Sequence, residues 1–270
     1  GGLVTFDRFM KEFFAEELKD FPNTVYKNDC WYSFTPQGLM HQIFVLRSWT
    51  GQLSFTYGTR ALVAPLEIVP GNSLKKEIFC CSNRNPWTDF NFRGPTIQEP
   101  ESVKALHKMV TEFIVPDLRI FTTIQSLYDY YLKYANRRRE SHYEVYGTDT
   151  SVYEHPYRYF YYREAAYVFS YLHKVQEGLD GIQKLREVSV IGARGNLEMW
   201  KSMGHRDEQL FQQQIEECMQ RDESGRQFLL LPEEEQQQRL REIFEENRVK
   251  IRDLLKIEPE VDMDFIFPEK

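Results

Sequence analysis

The chain has 270 residues, enough for one large domain or two ordinary ones with a sizeable core. Its 41% hydrophobic and 28% charged residues fit a globular protein and exclude an extended disordered one. The net charge of −7 lies wholly after residue 150 (17 basic and 17 acidic residues before it, 17 and 24 after), which disfavours a general binder of nucleic acid.

Phe6, Phe9, Met10, Phe13 and Phe14 recur at helical spacing, with Thr5 placed to cap, so the first element is a helix ended by Phe21-Pro22-Asn23. Strand character follows at Thr24–Tyr26, Cys30–Phe34, Leu39–Ser48 and Leu53–Gly58. The breaks at Thr35–Gly38 and Trp49–Gln52 have the size and composition of hairpin turns, which implies antiparallel pairing. Ile78–Cys81 is a further candidate strand. Val103, Leu106, Val110 and Phe113 then share a helix face, with Pro116 expected to stop it. Thr122 or Thr123 is expected to cap a second helix carrying Ile124, Leu127, Tyr128, Tyr131 and Leu132.

The segments "GLMHQIFVLRS", "FTYGTRALVAPL" and "VPDLRIFTTIQSLYDYYLKY" resemble a bacterial family of uncharacterised proteins, domain of unknown function 4304, over Leu3 to Ala135. The resemblance implies a helix-flanked antiparallel sheet and brings no activity, ligand or catalytic residue.

Thirteen of the sixteen tyrosines lie between Tyr128 and Tyr171. Tyr157–Glu177 reads as one long helix, Leu179–Glu187 as a shorter one after Gly178, and His205–Arg221 as a third. The last helix starts at Pro232 and carries Leu240, Ile243, Phe244, Asn247, Ile251 and Leu254, with favourable pairs Glu235–Arg239 and Glu246–Lys250. The acidic tail after it docks or frays. The expected fold is α+β: residues 1–140 a helix-flanked antiparallel sheet, residues 141–270 a mainly helical region packed on it.

On a single helix through Tyr157–Glu177, Tyr157, Phe160, Tyr161, Tyr167, Val168, Tyr171 and Leu172 form one stripe, and amphipathic periodicity of this kind is packing or interface. Glu164 falls within that stripe. A carboxylate there is either a pocket acid ringed by phenols or a buried structural group held by an arginine or tyrosine. The candidate ligand-binding residues are therefore Glu164, Tyr161, Tyr167 and Tyr171.

Other patterns point less far. Arg137, Arg138 and Arg139 sit among tyrosines, as in a nucleic-acid patch, but also at a helix end, where cations complement the dipole. Gly192-Ala193-Arg194-Gly195 has the outline of a phosphate-clamping GXXG loop, or else of a helix-terminating turn. Glu198 stands where that loop's following apolar residue belongs. The histidines show no compact metal spacing, and neither a nucleophile elbow nor a glycine-rich phosphate loop is present, so no metal and no cofactor is expected.

Cys30, Cys80, Cys81 and Cys218 include no CxxC pair, which suits a reducing cytoplasm. No apolar run approaches the roughly 20 residues of a membrane span. The opening Gly1-Gly2 reads as a cloning remnant, so an export signal is neither expected nor excluded at the start. The leading expectation is a non-catalytic cytoplasmic protein acting through contact with itself or another protein. The alternative is a small-molecule binding protein or enzyme using the Glu164 pocket, with nucleic acid last.

Overall fold

The computed structural model describes residues 5–47, 52–69, 73–74, 92–93, 100–140, 144–145, 148–149, 154–160, 163–205 and 207–269. The chain groups into two units: residues 1–126 with 241–270, and residues 127–240. Both dividing points fall inside helices, whereas the sequence reading places the boundary after residue 140.

In the first unit, α1 (Phe6–Glu17) begins where the Thr5 hydroxyl accepts the Arg8 backbone N–H. The sheet has the order β1-β2-β3-β4-β7, all neighbours antiparallel, with β1 Thr24–Lys27, β2 Cys30–Phe34, β3 Leu39–Arg47, β4 Gln52–Ala61 and β7 Phe92–Arg93. The short pairs β5 (Ile68–Val69) with β6 (Ser73–Leu74) and β8 (Glu144–Val145) with β9 (Thr148–Asp149) stand apart from it. The expected turn at 49–51 and the expected strand at Ile78–Cys81 lie outside the described residues.

Alternation along the strands sends Trp31, Ile43, Val45, Phe55 and Tyr57 to one face. There they share a buried core with Met10, Phe14 and Leu18 and with Leu106, Met109, Val110, Ile114 and Leu118. The last five belong to α2 (Pro100–Met109), a π-helical turn (Val110–Ile114) and α3 (Val115–Leu118). Pro116 does not stop this helix. The Val115 N–H bonds the Val110 carbonyl five residues back, and this wider turn lets Pro116 enter as an early residue of α3, where no donor is required.

Residues 241–267 complete the same unit. Asn247, on α9 (Glu233–Leu255), is fully buried; its amide donates to the Leu62 and Ala64 carbonyls at 2.8 Å each and accepts the Leu66 N–H at 3.1 Å. The acidic tail docks: the Asp262 N–H bonds the Pro36 carbonyl, and Ile266 in α10 (Met263–Ile266) packs against Gly38.

In the second unit the expected single helix over Tyr157–Glu177 is broken. A 3₁₀ turn (Pro156–Tyr159), α5 (Ala165–Tyr171) and α6 (Val175–Ser202) replace it, with Arg163 and His173 in left-handed conformation between them. His173 ends α5 in a Schellman motif: its N–H bonds Ser170 O, and the Lys174 N–H bonds Phe169 O at 2.8 Å. Gly178 does not break the chain either; it lies inside α6, which runs on through Gly192 and Gly195. The phosphate-loop outline and the helix-terminating turn are thus both overturned, because those glycines are mid-helix. α4 (Ile124–Glu140), α7 (Glu208–Met219) and α8 (Glu223–Leu229) complete the helices. Thr123 caps α4, accepting the Ser126 N–H at 3.2 Å.

Candidate functional site

Among the described residues of the tyrosine-rich segment, Tyr128, Tyr131, Tyr157, Phe160 and Phe169 are buried in the core of the second unit. The Phe169 ring meets Tyr128 at 5.6 Å, Tyr157 at 5.4 Å and Phe160 at 5.8 Å, mostly edge-on or tilted. Glu164 is 3% exposed and stands at the N-terminal boundary of α5, where its carbonyl accepts the Val168 N–H. Tyr167 and Tyr171 follow on successive turns of α5, half-buried, and burial raises both phenol pKa values. Tyr167 stacks at a tilt on Phe228, with ring centres 4.5 Å apart. Tyr161 lies outside the described residues.

Three other phenols are tied to carboxylates. Tyr157 donates to Asp222, Tyr159 to Glu154, and Tyr128 to Glu177 at 2.6 Å; Arg158 also holds Glu154 at 2.9 Å. Burial first, and the facing carboxylate in addition, pushes all three phenols upward. Each phenol therefore keeps its proton and serves as a fixed donor, which is the chemistry of a structural clamp. The Arg137 guanidinium stands 5.7 Å over the Tyr134 ring; the Arg139 side chain is outside the described residues.

The first unit carries a cleft of about 780 Å³ whose lining includes Asp20, Phe21, His41, Arg119, Phe121 and Phe265. His41 is buried and shares a 2.6 Å hydrogen bond through Nδ1 with Thr59, its partner across β3 and β4. Burial pushes its pKa down to about 4, so the ring is neutral near pH 7. A neutral imidazole between Phe21 and Thr59 offers one polar group in an aromatic wall.

The hairpin of α6 and α7 is different in kind. As far as Ile182, α6 is tightly packed: a Cβ on Gly178 would lie 2.8 Å from Leu229 Cδ1, and one on Gly181 would lie 2.6 Å from Tyr157 Cβ. From Gln183 to Ser202 no residue is buried, although this stretch holds Leu185, Val188, Val190, Ile191, Leu197, Met199 and Trp200. Met199 and Met219 are each 48% exposed, Leu210 50% and Met203 67%. Phe211 and Ile215 are the buried side of α7, and the Trp200 ring reaches Phe211 at 5.8 Å. Arg221 ties the two helices, donating to Ser189 Oγ at 2.8 Å. Two grooves flank the contact, one of about 450 Å³ walled by Glu187, Ile191, Arg194 and Met219, the other of about 470 Å³ walled by Gly192, Asn196, Gln214 and Cys218. The sequence reading missed this surface because it divided α6 at its glycines; the signal was the apolar residues at helical spacing on both sides of Gly192.

No known protein family, curated protein or solved structure matches the chain, so the resemblance of residues 3–135 rests on its quoted segments alone. Among the described residues no helix is long and apolar enough to cross a membrane. Among them, too, no group of three or more His, Cys, Asp or Glu side chains is placed to hold a metal ion.

Proposed function

We propose that the protein works by protein–protein contact, through the apolar surface of the α6–α7 hairpin. One observation carries this: Met199, Trp200, Met203, Leu210 and Met219 of the hairpin are exposed, and Leu185, Val188, Val190, Ile191 and Leu197 beside them on α6 are only partly covered. Helices of this length owe their stability mainly to burying one face, and contiguous exposed apolar surface on a folded protein marks an interaction site. Exposed methionines, here Met199, Met203 and Met219, also adapt readily to a partner's contour. Photocrosslinking in cells from position 203 is expected to give a discrete protein adduct that Met199→Ser with Leu210→Ser abolishes. Equal adducts from position 265 in the first unit, or adducts that survive the serine changes, would remove this function.

A second function, small-molecule binding, is favoured by the His41 cleft. Its test is a ligand screen by imidazole NMR of His41: a compound that shifts the ring is expected to lose that shift in Arg119→Ala or Phe21→Ala, and a screen in which no compound does so removes this function.

A further inference from the structure

The partly covered stretch of α6 beyond Ile182 has a charge order that names its partner. Asp180, Lys184, Glu187, Ile191, Arg194, Glu198 and Lys201 recur at alternating steps of four and three residues, the spacing of one stripe along a supercoiled helix. Counted outward from Ile191 in both directions, the signs oppose at every step: Glu187 against Arg194, Lys184 against Glu198, Asp180 against Lys201. Simple alternation would not do this; the order of signs skips at Ile191, and that skip creates the antisymmetry.

Two helices packed antiparallel about a two-fold axis bring the same flank of each together, with residues equidistant from the axis opposite one another. An axis between Val190 and Ile191 therefore sets Glu187 against Arg194 and Asp180 against Lys201, and brings Lys184 within one residue of Glu198. A parallel copy in register would set each charge against itself. Resting on the contact function proposed above, we infer that the partner at this surface is a second copy of the chain. It docks antiparallel along α6, so that the two α6–α7 hairpins close a four-helix bundle.

The neighbouring stripe agrees. Val188, Gly192, Gly195 and Met199 follow the same spacing one step round the helix, which leaves two glycines beside the charged stripe. Glycine is unfavourable in a helix interior, and close approach of a second backbone offsets that. Asp180 to Lys201 spans about 32 Å, long enough for a stable helix pair. Among the present partners of these charges, Lys201 with Glu208 at 3.1 Å and Gln183 donating to Glu187 at 3.2 Å are exposed contacts that rearrange at little cost. Asp180, by contrast, meets the largely buried His155 at 3.6 Å as well as Lys184 at 3.5 Å.

Sedimentation velocity on the full chain tests this, with circular dichroism confirming that each variant keeps its helix. The wild type is expected as a dimer. Glu187→Arg alone and Arg194→Glu alone each put like charges together twice and weaken it by at least about tenfold. The double variant restores opposite charges and returns the affinity to within about threefold of wild type. A dimer in which the double variant is no better than the singles overturns this geometry. A monomer at all concentrations overturns the second copy as partner, yet if position 203 still crosslinks to a different protein, the contact function stands; a monomer without crosslinks removes both.

Discussion

The sheet unit and the α6–α7 hairpin use apolar residues in opposite ways. In the first unit Trp31, Ile43 and Phe55 are enclosed between strands and helices, and the buried amide of Asn247 donates two hydrogen bonds and accepts one. In the hairpin Ile191, Leu197 and Met199 stand beside one antiparallel neighbour, and two helices alone cannot enclose them. Burial thus separates side chains that determine the fold from side chains left for a partner. The Phe169 cluster marks the transition within the second unit, since α6 leaves it at Ile182 and is only partly covered thereafter.

That contrast can be broken by measurement. Phe169→Ala removes the ring shared by Tyr128, Tyr157 and Phe160 and is expected to cost about 4 kcal/mol in urea unfolding. A cost below about 1 kcal/mol would mean that this centre is as loose as the hairpin. His41 gives the next effect. Its pKa is lowered from 6.5 to about 4 in the fold, so the unfolded chain binds the extra proton first. The stabilisation is complete above pH 6.5 and is lost as pH falls toward 4, about 2 kcal/mol of it between pH 7 and pH 5. His41→Gln is expected to flatten the stability profile in that window, and an unchanged slope would show that other groups set it. Met203→Ser is expected to change stability by no more than about 0.5 kcal/mol, because the side chain is 67% exposed. A large loss in the isolated monomer would show that the chain itself already buries Met203.

Much of the sheet unit was legible because alternation and short polar breaks encode strands directly, as at Cys30–Phe34 and Leu39–Arg47. The helix of the first unit ran past Pro116 because backbone can widen by one residue, which composition does not record. The break at Arg163 and His173 was invisible for a related reason: arginine does not signal left-handed backbone, histidine does so only weakly, and the helical spacing of aromatics continues across it. Conversely, Gly178 looked like a break, but it and Gly181 are close-packing points inside α6. Glu164 was correctly read as buried, yet its place at the start of α5 is set by those breaks rather than by the helix face on which the spacing put it.

Asn247 has a consequence for how the chain is made. Its amide joins α9 to carbonyls 185 and 183 positions earlier, within a unit built from residues 1–126 and 241–270. The helical unit, 127–240, is one uninterrupted stretch of chain. During synthesis the ribosome therefore releases all of the helical unit before it releases the segment that closes the sheet unit. Until α9 emerges, the carbonyls of Leu62 and Ala64 and the N–H of Leu66 await their partner, and the first part made is the last to be finished.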